Sequence, residues 1–268
     1  LYPDHPYGRS VQGYEETVAG LVRDDLAGHY QKRYSPQGMV IAVVGAVSTG
    51  TVLAAVEDAL GDWQAPDAEP DERIPPAVDL PELRSRTVTI EGKTQSDLVI
   101  GWPALARSDP GFMDASLTNT VLGVFGMMGR LGDSVREEQG LAYYVYSRLQ
   151  AGLGAGPWVA IAGVNPANVQ RATDGILTEI RRMRDERVPA EELADSQSFL
   201  TGSMPLRLET NEGIARALLE MERHDLGLDY LLRYGGLVNA VTTESVQAIA
   251  RGYLDPDRYV LAVAGPKD

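Results

Sequence analysis

The sequence contains no cysteine, which excludes disulfides, thiolate nucleophiles and Cys-ligated metal centres. Histidine is nearly as scarce, with only His5, His29 and His224. A hydrolytic zinc site needs two histidines at helical spacing with a glutamate between or beside them. His5 is followed by PYGR, His29 by YQKR and His224 by DLGL, so neither HExxH nor HxxEH exists in the chain. The plain reading puts His29 and His224 on helix surfaces and His5 in a turn over 5–8. Spacing alone leaves a Ser-His-Asp triad open, yet no GxSxG elbow supports one. Long apolar runs are also lacking, and none approaches the roughly 18 residues of a membrane span. The opening residues carry no basic stretch followed by an apolar signal core. Positive charge is in deficit, with 24 Lys and Arg against 38 Asp and Glu and a net charge of −14. Neither a nucleic-acid backbone nor an anionic membrane suits such a surface, because both demand a basic face. The expectation is a soluble chain, cytoplasmic or periplasmic.

What is present is ordinary folded-protein material. Hydrophobic residues make up 44% and charged residues 23% of 268, which excludes disorder and collagen-like repeats. The most distinct break is at 64–83, where five prolines and six acids meet the single base Arg73. Proline removes amide donors and uncompensated acids repel, so an extended solvated linker is predicted there.

An internal repeat organises the rest. Residues 22–45 align without a gap on residues 242–265, at a constant offset of 220, with Pro36/Pro256, Val40/Val260, Ala42/Ala262, Val43/Val263 and Gly45/Gly265 identical. In both copies a short amphipathic helix ends before a proline, and an apolar strand follows that closes on glycine. If the second copy begins near 84, roughly 136 residues of the first would lie upstream of Leu1, which agrees with domains of about 200 residues. The expected organisation is the C-terminal part of a first domain over 1–63, the linker over 64–83 and a complete second domain over 84–268. Leu1 is then a processed end or the start of a piece of a longer chain.

Within 84–268 the patterning predicts strands at 86–92 and 95–103, helices at 111–122 and 128–138, and a hairpin from 142–151 and 157–164. A helix over 166–186 follows, with Val169, Ala172, Ile176, Ile180 and Met183 on one stripe. Further helices are predicted at 189–204, 210–224, 229–240 and 243–253, with a last strand at 258–264. That order implies an α+β domain, an antiparallel sheet flanked by helices.

Two glycine-rich stretches invite nucleotide readings and fail them. Gly45 to Thr51 has P-loop glycine spacing, but Thr51 stands where the phosphate-binding lysine is needed, leaving a turn capped by Ser48 or Thr49. Gly152, Gly154 and Gly156 join two strands with no helix at once following, so they are hairpin glycines.

The segment 119–147 is less easily dismissed. Gly123, Gly126 and Gly129 interrupt a helical pattern, which costs stability unless a loop or close approach is wanted. Arg136 lies near a helix end, and Tyr143 starts a strand seven residues later across a turn at Gly140. A guanidinium fork and one phenolic donor could hold a peptide carbonyl or the oxyanion of a tetrahedral intermediate. On the residues alone, a surface Arg and a half-buried sheet Tyr are the plainer account.

The run Arg136-Glu-Glu-Gln-Gly-Leu-Ala-Tyr143-Tyr-Val-Tyr-Ser resembles the second-domain signature of the pitrilysin/insulinase-like (M16) zinc peptidases. The turn His5-Pro6-Tyr7-Gly8, the stretch from Tyr34-Ser-Pro36 to Gly45 and the glycine-rich loop 119–131 match in order. The resemblance spans nearly the whole chain, and the family has two homologous domains. It implies that the zinc ligands, an HxxEH helix and a later glutamate, lie in the first domain or a partner subunit, with no cofactor held by this chain. By resemblance, Arg136 and Tyr143 reach from the second domain to bind peptide substrate near the metal. The loop bearing Gly123, Gly126 and Gly129 would face the same chamber. The sequence departs from the common loop at Met127-Met128-Gly129-Arg130, where a small residue and Ser-Arg are usual. The implied function is the substrate-binding C-terminal portion of an M16-like zinc endopeptidase, inactive alone. The implied partners are a peptide substrate and a catalytic M16-like half, or a subunit in a homodimer or heterodimer. The alternative is a non-catalytic partner or scaffold subunit of a heteromeric complex.

Overall fold

The computed structural model describes residues 1–65, 73–77, 80–124 and 129–266. The linker prediction therefore lies partly, and Gly126, Met127 and Met128 wholly, outside the described residues. In chain order the first elements are helices α1 (Glu15–Ala19), α2 (Arg23–Arg33) and α3 (Thr49–Leu60). Strands β1 (Arg84–Thr89) and β2 (Ser96–Pro103) follow, then α4 (Phe112–Gly123), a π-helix (Gly132–Glu138), and the hairpin β3 (Ala142–Leu149) and β4 (Pro157–Val164). Helices α5 (Val169–Asp185), α6 (Ala190–Arg207), α7 (Asn211–Arg223), α8 (Tyr230–Asn239) and α9 (Thr243–Tyr253) precede β5 (Val260–Gly265). The chain falls into two compact units, one of residues 1–3, 76–203 and 231–268, the other of residues 4–75 and 204–230.

The larger unit is a five-stranded sheet in the order β1-β5-β2-β4-β3. β2, β4 and β3 run antiparallel, and β5 is antiparallel to β2, but β1 and β5 are parallel. The sheet is therefore mixed rather than purely antiparallel, because β5 returns through helices and inserts between β1 and β2 instead of joining by a hairpin. Alternation decides which face is covered. Leu98, Ile100 and Trp102 of β2 and Trp158, Ala160 and Ala162 of β4 are all fully buried. Helices α4, α5 and α9 pack together against this face. They contribute Leu117, Val121 and Leu122, then Ile176, Ile180 and Met183, then Val246 and Ala250. The stripe predicted on α5 is this contact. Trp102 satisfies its indole by donating to the Asp255 carbonyl at 2.7 Å.

The smaller unit holds α1, α2, α3 and α7. Ser48 caps α3 by accepting from the Thr51 amide at 3.2 Å, so the P-loop-like stretch is the capped turn expected of it. Tyr30 stacks on Tyr34 and on Trp63. Residues 39–45, expected as a strand, form no ladder among the described residues. A strand needs neighbours to hydrogen-bond, and its repeat counterpart β5 has two. The contrast extends to side chains: Leu26, Tyr30 and Tyr34 are 62%, 51% and 52% exposed, whereas Val246, Ala250 and Leu254, 220 residues on, are each 0% exposed.

Candidate functional site: an arginine on a π-helix beside a bulged tyrosine

The stretch before β3 must bury Leu131, Val135 and Leu141, which are 0%, 0% and 3% exposed. A regular helix followed at once by a strand cannot place all three inward. The chain widens instead: the Gln139 amide bonds the Ser134 carbonyl at 3.2 Å and the Leu141 amide bonds the Val135 carbonyl at 3.0 Å, reaching five and six residues back. Within the predicted helix over 128–138, Gly132–Glu138 is thus a π-helix, a form concentrated at functional sites. Gly140 ends it at φ +61°, the left-handed conformation a side chain disfavours. Arg136 sits in the last turn of the π-helix, its side chain about a third exposed and its Nε 3.5 Å from Glu137 Oε1.

The π-helix packs on β3, and Tyr143 lies at the start of that strand. Ala142 pairs with Val164 and Tyr144 with Gly163, so β3 spends two residues where β4 spends one. Tyr143 is the extra residue of a β-bulge, with no cross-strand partner, and the residue is 63% exposed. Bulges of this kind re-aim a side chain next to a binding site. The half-buried sheet tyrosine read from the sequence is in fact its neighbour.

Tyr144 lies across β4 at Gly163, where an added Cβ would run into its ring. This brings its hydroxyl to donate to Asp97 Oδ1 at 2.8 Å. Asp97 also accepts from Lys93 Nζ and from Gln95 Nε2. The Lys93 hydrogen bond leads in holding the Asp97 carboxyl below the usual range, while burial and then the Asp97 bond push Tyr144 up to about 12. The tyrosine beside the bulge is therefore pinned and protonated, which fixes the backbone from which Tyr143 projects. Stability from this cluster is complete between the usual carboxylate range and about pH 10. It is lost as pH falls through the depressed Asp97 value, and as pH rises through the raised Tyr144 value. Asp97→Asn should lower the urea midpoint by an amount equivalent to about 1 kcal/mol near neutrality and flatten the acid limb. An unchanged acid limb would remove Asp97 from this role. Nothing in the sequence spacing announced the cluster, since Asp97 and Tyr144 meet only through strand order.

Of the predicted loop glycines, Gly123 and Gly129 come together. A Cβ on Gly129, at φ +95°, would stand 2.7 Å from the Gly123 Cα and 2.8 Å from the Val121 carbonyl oxygen. Gly123 and Gly129 serve a backbone-on-backbone approach. Next to them, Arg130 is 9% exposed and forks onto Glu192 at the start of α6, Nε to Oε1 and Nη2 to Oε2, both 2.9 Å. The pair ties the loop to α6, and no sequence motif pointed to Glu192.

The histidines do not converge. His5 accepts from the Tyr7 amide and pairs its Nε2 with the Pro75 carbonyl, and His29 packs edge-on to Tyr34. His224, expected on a helix surface, is buried at the end of α7 with Nε2 3.2 Å from Glu220 Oε2. Among the described residues no three His, Asp or Glu side chains assemble as a metal site, so the donor set does not fit zinc. No helix among them is long and apolar enough to cross a membrane.

A helix-covered mixed sheet that presents an arginine and a bulged tyrosine at one edge, without a metal-binding group among the described residues, defines an α+β domain. The chain belongs to the peptidase M16 inactive-domain family, whose sequence model matches residues 20–200. It is 30% identical over 275 residues to the uncharacterized zinc protease SCO5738 of Streptomyces coelicolor, covering 99% of this chain and 58% of that protein. To the uncharacterized zinc protease YmxG of Bacillus subtilis it is 29% identical over 270 residues, covering 99% and 63%. A crystal structure of a peptidase M16 inactive domain from Pseudomonas fluorescens matches 100% of this chain and 63% of its own, at 25% identity and a TM-score of 0.89. The chain thus spans about three fifths of the length of these curated relatives.

Proposed function

We propose that this chain is the substrate-holding portion of an M16-type zinc endopeptidase, and that Arg136 and Tyr143 hold the peptide. The observation that carries the reading is the bulge: Tyr143 projects into solvent from a strand edge whose adjacent tyrosine is locked. Tyr143 would donate its phenolic hydrogen to the scissile carbonyl as negative charge develops there, and Arg136 would orient the peptide through its planar fork. The metal would be held by residues of a catalytic half or partner subunit, since the donors among the described residues do not suit it.

The domain reading accompanies this. Residues 1–63 are the end of a first M16-like domain, 64–83 its linker and 84–268 a complete second domain. The exposure of Leu26, Tyr30 and Tyr34 against their buried counterparts supports it, because a copy of this fold keeps those positions inside. Assembled with its catalytic half, an Arg136→Gln variant should raise KM about tenfold with a smaller change in kcat, the loss of one charge-assisted contact to bound substrate. Steady-state kinetics on a peptide substrate decide it, and an unchanged KM removes Arg136 from binding. The competing reading, a non-catalytic partner or scaffold subunit of a heteromeric complex, predicts instead that this protein's own first domain carries no HxxEH.

A further inference from the structure

On the face of the sheet opposite Leu98, Ile100 and Trp102, the pairing register arranges the side chains in rows. Arg84, Val260, Gly101, Val159 and Arg148 lie on one row; Arg86, Ala262, Val99, Ile161 and Tyr146 lie on the next. Small and apolar side chains fill the middle of both rows, and the Leu1 side chain lies over Gly101. Arginines stand at the two margins. Arg84, Arg86 and Arg148 are all exposed, and none is in an ion pair or side-chain hydrogen bond with a described residue. In a chain with 38 Asp and Glu against 24 Lys and Arg, three unpaired cations bounding one apolar strip form a local reversal of sign. The acid on this face, Asp97, is neutralised by Lys93.

We propose that this face docks an extended peptide segment with acidic residues at both ends and small apolar residues between. The proposal rests on the reading of the chain as peptide-holding, and it adds the substrate class. The margins are four strand spacings apart, roughly 19 Å, the span of about six extended residues. Carboxylates about that far apart reach Arg84 or Arg86 at one margin and Arg148 at the other, while Val99, Ile161 and Ala262 take the apolar middle. The like-charged surroundings repel an acidic peptide from other surfaces and leave this strip as the attractive one.

The test uses two fluorescein-labelled peptides of about ten residues with the same alanine- and valine-rich middle, one flanked by glutamates and one by lysines, titrated with the 268-residue chain by anisotropy. The glutamate-ended peptide should bind about tenfold tighter at low salt, with the preference shrinking at high salt. The triple variant Arg84→Gln, Arg86→Gln, Arg148→Gln should abolish the preference, and the corresponding triple lysine variant should retain most of it. Unchanged thermal unfolding in all variants shows that the sheet is intact. Equal binding of the two peptides, or a preference that survives the glutamine variant, overturns the inference. Equal binding that is lost on Arg136→Gln overturns it while leaving the peptide-holding function in place; absence of binding by either peptide overturns both.

Discussion

Glu192→Ala should lower the unfolding free energy by about 3 kcal/mol, the largest stability effect expected of a single surface-accessible side chain here. Arg130 is 9% exposed, so its guanidinium has little water to fall back on when the carboxylate is removed. Two parallel bonds of 2.9 Å disappear together, and what remains is a buried cation rather than a merely weaker contact. The cost lies in that orphaned charge, which gives the prediction a signature. Arg130→Leu combined with Glu192→Leu should recover stability to within about 1 kcal/mol of the parent, because no buried charge is then left unpaired. Urea unfolding of the parent, Glu192→Ala and the double leucine variant measures the loss and its recovery. Equal losses in the single and double variants would show that the bridge does not hold the loop in place.

Tyr143→Phe should reduce kcat of the assembled peptidase about a hundredfold while leaving KM within about twofold, the pattern of a donor used in the transition state more than in the ground state. The ring of Tyr143 is exposed and its hydroxyl bonds no described residue, so the substitution should leave the fold alone. Tyr144→Phe supplies the opposite pattern. It loses the bond to Asp97 and should cost about 1 kcal/mol of stability with kcat preserved. Adjacent tyrosines with exchanged phenotypes would separate chemistry from architecture. An unchanged kcat for Tyr143→Phe would refute its role.

Much of the larger unit was legible because local signals agreed with burial there. The stripe on α5 and the helix, proline and strand of the repeat were visible in spacing and turn residues, and all sit where packing rewards them. Arg136, Gly140 and Tyr143 were visible too, as residue types at a spacing. The geometry that gives them meaning was not. A π-helix and an ordinary helix share the same apolar pattern to within one residue, and only the need to bury Leu131, Val135 and Leu141 together selects the wider turn. The bulge at Tyr143 depends on what β4 places opposite, which no local window contains. Residues 39–45 failed in the other direction: their sequence is that of an interior strand, but the neighbours that would make it one are not among the described residues. His224 was misplaced because a helix-end histidine beside an i−4 glutamate reads as solvated, while its burial is set by long-range packing.

The placement of β5 has a bearing on the timing of folding. β5, the last strand among the described residues, is neither at the edge nor a late addition to a finished sheet; it sits between β1 and β2. Until it arrives, β1 has no hydrogen-bonded neighbour, and β2 offers an open ladder on one side, so a nascent chain holds a hairpin-based half-sheet and a stray strand. Closing both pairings at once, from the far end of the chain, demands a slow search over long loops, during which the unpaired edge of β2 is open to other chains. A truncation that removes only β5 would therefore not trim the domain but split its sheet in two.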